Sequence, residues 1–159
     1  SIWENGAVSH FPVTLPRGLG VIVCIPEFTV ETAKARKALP ARIPFGDAVK
    51  TSSRLAFLLG AFERGELSWL KRAMTDVLHQ PYRAALVPGM QKVIDDAVAA
   101  GAYGAALSGS GPAILAFTPK GPKQAVIGRA MQKAFFKAGH ESRYLPLEIE
   151  TAGAKVETL

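Results

Sequence analysis

The sequence predicts an α+β domain whose main strands form a split βαββαβ sheet, with extra helices in the first crossover. Three observations carry this prediction. A β-branched apolar run lies at 21–25, a glycine-rich turn separates two short apolar strands at 103–117, and the segments between and after them show helical apolar spacing. This order of elements is that of a ferredoxin-like sheet.

The first predicted strand is the continuous apolar run 21–25, which Pro26 closes. A strand without polar positions is typical of burial on both faces of a sheet. Before it, the chain has little periodicity and only a weak β-like stretch near 7–13. After it, a short helix is predicted over 32–38.

Three longer helical patterns follow in the first crossover. Asp47 is a plausible N-cap for a long helix that Gly65 ends. The pattern repeats over 67–78, where we expect Pro81 to end it, and a third amphipathic segment closes at Gly101.

The remaining elements complete the sheet. Strands are predicted at 103–107 and 113–117, a helix near 123–138, and a last strand within 143–150. There is no internal repeat and no low-complexity linker, so the pattern indicates one domain.

Composition excludes several classes of protein. The chain has 159 residues, of which 48% are hydrophobic and 20% charged, values that rule out a disordered or fibrous chain. The single cysteine, Cys24, excludes an intramolecular disulfide framework and a cysteine-cluster zinc site, and favours a reducing cytoplasm. No apolar run reaches the roughly 18 residues needed to span a bilayer.

The net charge of +6 raises the question of nucleic-acid binding. The basic residues are scattered and mixed with acidic ones, which is more typical of a solvated surface than of a nucleic-acid interface. An anionic small-molecule substrate is the next candidate partner.

The strongest local signal is the turn Ser108-Gly109-Ser110-Gly111-Pro112. Small residues there remove side-chain bulk where a backbone or a phosphate comes close, and Ser108 and Ser110 add hydroxyl donors. A tight, bulged hairpin turn explains the same residues structurally. No Gly-Lys-Ser/Thr follows, so this is not a Walker loop.

Two arginines are candidate anion ligands. Arg36 lies in a short basic helix, where an arginine is commonly solvated, whereas Arg83 follows Pro81 in a turn whose direction is fixed. A guanidinium on a rigid turn suits recognition of a carboxylate or a phosphate. Asp76 and Gln80 lie one helical turn apart, a spacing that fits a pair steadying the arginine as well as an acid or base. His79 is a candidate general base, since histidine titrates near neutrality.

Three segments together resemble the homoserine branch of the GHMP kinases. They are the run from Pro26 through Arg36 to Pro40, Asp76-Val-Leu-His-Gln-Pro-Tyr-Arg83 with the Leu-Val-Pro-Gly that ends at Gly89, and 104–112. The resemblance covers the chain from about Gly20 onward. It implies a ferredoxin-like C-terminal domain at 20–159, preceded at 1–19 by a linker or the tail end of a missing N-terminal domain.

The resemblance also implies an activity and a site. ATP would transfer its γ-phosphoryl group to the hydroxyl of L-homoserine in threonine biosynthesis, with Arg36 and Arg83 on the substrate carboxylate. Gly109, Ser110 and Gly111 would pack against substrate and the missing phosphate loop, with Ser108 in support, while Asp76 and His79 orient Arg83.

The resemblance places ATP and Mg²⁺ mainly on the missing domain, which carries the family's Gly-Leu-Gly-Ser-Ser loop. This chain alone would then be inactive, with no catalytic residue and no metal ligand of its own. We expect the missing domain as a partner, possible self-association as a homodimer, and no nucleic acid or membrane.

Other functions fit the same sequence. Another GHMP small-molecule kinase, of the mevalonate or diphosphocytidyl-erythritol type, is one alternative. A non-catalytic ferredoxin-like module that binds an amino acid is a second. An RNA-binding domain is a third, although the sequence lacks the aromatic pair on adjacent strands that stacks bases.

Overall fold

An eight-residue apolar strand lies inside the sheet in the computed structural model, which describes residues 2–150. Most of this strand is buried, because other strands flank both of its edges. Numbered in chain order, the strands are β1 (Ile2–Glu4), β2 (Ala7–Ser9), β3 (Leu19–Pro26), β4 (Gly104–Leu107), β5 (Ile114–Pro119) and β6 (Ser142–Leu147).

The main sheet has the order β4-β5-β3-β6, and every neighbouring pair is antiparallel. Val21 of β3 lies opposite Phe117 of β5 on one side and Leu147 of β6 on the other. Taken in chain order, these four strands are arranged 2-3-1-4, which confirms the predicted ferredoxin-like sheet.

Helices fill the two crossovers unequally. Five lie between β3 and β4, where four were predicted, and one lies between β5 and β6, as predicted. Short 3-10 turns at Leu67–Trp69 and Ala84–Leu86 extend the smaller helices. The helices are α1 (Thr32–Lys37), α2 (Phe45–Arg64), α3 (Leu70–Ala73), α4 (Gln80–Arg83), α5 (Met90–Ala99) and α6 (Lys123–Lys137).

Two hydrophobic clusters hold the domain together. The larger one packs α5 and α6 on one face of the sheet, where Ile22 and Cys24 meet Met131 and Phe135. Because strand side chains alternate between faces, Leu19 points to the other side and joins Phe62 and Leu70 in a second cluster. The sheet is therefore fully covered at one face and partly covered at the other.

The helix boundaries in the first crossover differ from the sequence prediction. Helix α2 begins at Phe45 rather than after Asp47, because Pro44 precedes it in an extended conformation and the Asp47 carboxylate pairs with Lys50. The helix predicted over 67–78 ends at Ala73. Pro81 lies in the first turn of α4, which begins at Gln80, instead of ending a helix, since the first turn of a helix needs no N–H from it.

The cause of the early end of α3 is a side chain. The Asp76 carboxylate accepts hydrogen bonds from the amides of Leu78, His79 and Gln80, which replaces the backbone pairing a longer helix requires. Residues 74–79 therefore form a turn that leads into α4.

Strands β1 and β2 form a separate hairpin around Asn5-Gly6, within the segment where only a weak β-like stretch was predicted. All six of its strand residues are exposed, and Trp3 keeps 74% of its surface accessible. The predicted boundary between 1–19 and 20–159 remains a prediction, and residues 151–159 of that domain lie outside the described residues.

Candidate functional site

Arg83 joins the three segments that the sequence singled out. It is the last residue of α4 and only 8% exposed. Its Nε donates a hydrogen bond to the carbonyl of Ala35 in α1 at 3.3 Å, and its Nη1 donates to the carbonyl of Gly109 at 3.0 Å. The Arg83 guanidinium thus connects α1 to the glycine-serine turn, and the two residues it bonds are 74 positions apart in the chain. Its Nη2 atom takes part in neither bond.

The glycine-serine turn is a tight connection between β4 and β5. The amide of Ser108 donates to the carbonyl of Ala113, and the amide of Gly111 donates back to the carbonyl of Ser108. Gly109 and Gly111 both have positive φ angles, 60° and 93°, which favour glycine. At Gly111 a side chain would also press on Leu107. The requirements of a tight hairpin turn therefore account for the two glycines.

The turn also reaches α1. The hydroxyls of Ser110 and Thr32 lie 3.4 Å apart, which is a second contact between the turn and α1 besides the bridge through Arg83. The loop is therefore held against α1 at two points, while Gly109 itself remains exposed. An exposed loop with small side chains leaves its backbone accessible to a ligand or to another protein segment.

Arg36 follows Ala35, the residue whose carbonyl receives Arg83. Ala35 is fully buried, but Arg36 is exposed, and Lys34 and Lys37 give the same short helix two further cations. The structure therefore places an exposed arginine next in sequence to the residue whose carbonyl accepts a hydrogen bond from the buried Arg83 guanidinium. Lys34, Arg36 and Lys37 give the exposed side of α1 a positive charge, which suits an anionic group.

Asp76 and His79 lie in the turn before α4 and act there through the backbone. Burial by itself raises the pKa of Asp76, but the three amide donors outweigh it and hold that pKa below its ordinary value. The His79 carbonyl accepts from the Arg83 amide at 3.0 Å. Within residues 2–150, neither side chain hydrogen-bonds to the guanidinium, so their predicted orienting role would be indirect.

Gln80 was predicted only as a partner of Asp76 in steadying the arginine, and its contact with the strand before the glycine-serine turn was not predicted. It is 7% exposed, and its Oε1 accepts a 2.7 Å hydrogen bond from the amide of Leu107, the last residue of β4. Together with Arg83, three positions later, it fixes the glycine-serine turn from the same face of α4. The spacing of Gln80 and Arg83 is the only local signal for this contact, since its partner is 27 residues away.

At the Arg83 junction, hydrogen-bond donors lie close together but do not enclose a pocket. A cavity of about 600 Å³ beside the start of α1 is bordered by Glu31 and Lys34, but neither Arg36 nor Arg83 lines it. Among residues 2–150, no group of three or more His, Cys, Asp or Glu side chains is placed to hold a metal ion.

Comparison with known proteins shows the family. Residues 58–138, just over half of the chain, match the family described as GHMP kinases C terminal. The chain belongs to the GHMP kinase family. A match to its C-terminal domain agrees with the ferredoxin-like sheet and with the glycine-serine turn between β4 and β5.

Similar proteins carry the name of one branch of the GHMP kinases. Homoserine kinase of Carboxydothermus hydrogenoformans is 40% identical over 96% of this chain and 49% of its own length. The Moorella thermoacetica homoserine kinase is 47% identical over 79% of the chain and 42% of its length. The crystal structure of homoserine kinase from Cytophaga hutchinsonii superposes with a TM-score of 0.83 at 30% identity, covering 87% of this chain and 44% of that one.

The chain spans about half the length of the curated GHMP kinases it matches. Among the helices within residues 2–150, none combines the length and apolar character that crossing a bilayer requires.

Proposed function

We propose that this chain is the C-terminal, substrate-binding part of a homoserine kinase, with the domain itself at 20–159. The enzyme would transfer the γ-phosphoryl group of ATP to the side-chain hydroxyl of L-homoserine. The observation that carries the proposal is the Arg83 guanidinium, which joins α1, α4 and the glycine-serine turn in one junction. The similar proteins named homoserine kinase support the choice of branch.

The substrate carboxylate would bind at the two arginines. Arg36 is exposed and, within residues 2–150, has no ion pair, so it can supply a two-point contact, whereas two N–H groups of Arg83 are already bonded to carbonyls. Arg83 would therefore offer only the Nη end of its guanidinium to the substrate. In this division of labour Arg36 supplies most of the recognition, and Arg83 supplies the fixed geometry.

Phosphoryl transfer depends on positioning and on charge stabilisation rather than on covalent chemistry by the protein. ATP and Mg²⁺ would bind mainly to the part of the relatives' length that this chain does not span. Gly109, Ser110 and Gly111 would pack against that part and the substrate, which fits the exposed backbone at Gly109. The chain alone would then lack kinase turnover.

The natural partner in this proposal is an N-terminal half in the same polypeptide, with a homodimer as a further assembly. We also propose a cytoplasmic location, in keeping with a single buried thiol. These are consequences of the homoserine kinase assignment and fail with it.

The experiment is a steady-state assay of the longer polypeptide that contains this chain, with ATP and L-homoserine. Arg36→Met should raise the KM for homoserine about 10- to 100-fold, because a charge-assisted contact to the carboxylate is lost, with a smaller change in the KM for ATP. Lys37→Met is the matched control, since it removes a neighbouring cation from the same helix.

A carboxylate-free substrate analogue sharpens the test. The wild-type enzyme should strongly prefer homoserine over 3-amino-1-propanol, and Arg36→Met should lose most of that preference. Turnover of a different GHMP substrate without turnover of homoserine would assign the chain to another branch. An unchanged homoserine KM in Arg36→Met would refute the carboxylate role alone.

A further inference from the structure

A second cluster of cations lies away from the Arg83 junction, in a groove between α2 and α3. The groove has a volume of about 460 Å³. Its lining combines basic side chains, at Lys50, Arg54, Lys71 and Arg72, with an apolar wall at Val49 and Phe57. We call this the basic groove. The residues that line it include no Asp or Glu.

The charges of the basic groove are mostly uncompensated. Lys50 pairs with Asp47 one turn earlier on α2, at 2.9 Å. Within residues 2–150, the side chains of Arg54, Lys71 and Arg72 form no ion pair. Three like charges converging on one concavity repel each other, and an anion placed among them would relieve that repulsion.

Arg54 also has one side-chain atom that lacks a hydrogen-bond acceptor. Its Nη1 is buried and has no hydrogen-bond partner in the described part of the chain. A buried N–H of a charged group without an acceptor is costly, and native proteins usually satisfy such groups. A carboxylate or phosphate oxygen is the acceptor that a guanidinium binds best, and a ligand in the groove would reach Nη1 once the Arg54 side chain turned toward it.

The apolar wall limits the ligand further. Val49 and Phe57 each keep 49% of their surface accessible, although they border a cavity. The Phe57 ring contacts Trp69, which does not itself line the groove, with 5.5 Å between the ring centroids, so the groove has one aromatic edge that a second ring supports. Such an edge favours a flat apolar body over a fully hydrated ion.

We propose that the basic groove binds a small ligand that joins a phosphate or carboxylate group to an apolar, preferably aromatic, body. The anionic group lies between Arg54, Lys71 and Arg72, and the apolar body packs on Val49 and Phe57. This proposal does not rest on the proposed kinase activity, although Lys71 also borders the neighbouring cavity that Asp76 and Gln80 line.

The test is an NMR titration of the ¹⁵N-labelled chain with phenyl phosphate, inorganic phosphate and phenol as separate probes. Phenyl phosphate should give saturable shifts in α2 and α3, with a Kd at least about tenfold below those of the other two probes. Arg54→Met should weaken phenyl phosphate at least about tenfold. Lys133→Met, which removes an equal charge from α6, should change it less than about twofold.

Two further variants separate the halves of the site. Phe57→Ala should abolish the preference for phenyl phosphate over inorganic phosphate, and Arg72→Met gives a second measure of the anion contact if Arg54→Met does not fold. The proposal is overturned if no probe saturates, if Arg54→Met and Lys133→Met weaken binding equally, or if phenol binds as tightly as phenyl phosphate.

Discussion

Asp76 stabilises the site through its charge, although it was first considered as an acid, a base or a direct partner of arginine. Its carboxylate caps the turn before α4 by accepting three amide hydrogen bonds. The pKa of Asp76 is lowered from its ordinary 3.8, because these bonds favour the ionised form more than burial disfavours it. A lowered carboxyl pKa links stability to pH in a defined direction.

We predict that Asp76→Ala lowers the free energy of unfolding by about 0.5–2 kcal/mol near neutral pH, the usual effect of losing such a cap. Because the folded pKa is depressed, the stabilisation is complete above about pH 5 and is lost as pH falls through the folded pKa. Urea denaturation at several pH values measures this difference. Asp76→Asn is the control, since it keeps an acceptor oxygen but not the charge.

The difference between wild type and Asp76→Asn should therefore shrink as the pH is lowered toward about pH 3. If the difference in the free energy of unfolding stayed constant across this pH range, the three amides would not be favouring the ionised carboxylate.

Gln80 gives a second prediction at the scale of the residue. Gln80→Met keeps the size of the side chain but removes the acceptor for the Leu107 amide, so that amide is left buried without a partner. We expect hydrogen exchange at Leu107 to accelerate at least about tenfold, with backbone shifts confined to the β4–β5 turn.

Gln80→Glu retains an acceptor oxygen and should restore protection at Leu107 in part. Equal protection in wild type and Gln80→Met would show that this hydrogen bond does not hold the turn.

Helix α3 and strand β4 are in direct backbone contact, which makes β4 a sensitive element. A Cβ at Gly104 would lie 2.7 Å from the Met74 Sδ and 2.8 Å from the Leu70 carbonyl oxygen. We predict that Gly104→Ala lowers the free energy of unfolding by about 1–3 kcal/mol through overpacking.

Gly46→Ala in α2 is the matched control, since nothing lies within 4 Å of its Cβ position. It should change stability by less than about 1 kcal/mol. Both values come from denaturant midpoints, and similar effects of the two substitutions would contradict the close approach of α3 to β4.

At the scale of the elements, sequence reasoning worked where the signal is local. The apolar run 21–25 and the glycine-serine turn are each defined by adjacent residues, and the structure contains both. The end of α3 was mispredicted because Asp76 competes for backbone amides, a choice that apolar spacing does not register. The hairpin at Asn5-Gly6 was missed because its strands are only three residues long.

The site was predictable in its members but not in its connections. Arg36, Arg83 and the turn were recognisable from residue type and motif. The bonds from Arg83 to Ala35 and Gly109, and from Leu107 to Gln80, depend on how α4 packs beneath the turn. Spacing along the chain does not encode such tertiary contacts.

For the molecule as a whole, the β1–β2 hairpin adds little to the fold of the main sheet. Its strand residues are all exposed, and a two-stranded ribbon is marginally stable by itself. We predict that deleting residues 1–13 lowers the free energy of unfolding by less than about 1 kcal/mol.

The deletion spares Leu15, which packs against the second hydrophobic cluster. Thermal and urea denaturation of the shortened chain provide the measurement, and deletion through residue 17 is the comparison that should cost more. A large loss from the shorter deletion would mean that the hairpin packs on the rest of the domain.

The position of β3 has a consequence for how the molecule is made. Ile22 pairs with Ala116 on one side and with Pro146 on the other, so the central strand is synthesised long before either of its neighbours. Pairings this distant in sequence slow folding, because a long loop must close before the contact forms. During translation, β3 therefore emerges from the ribosome as an apolar segment without a partner, and the sheet is completed only once β6 has been made.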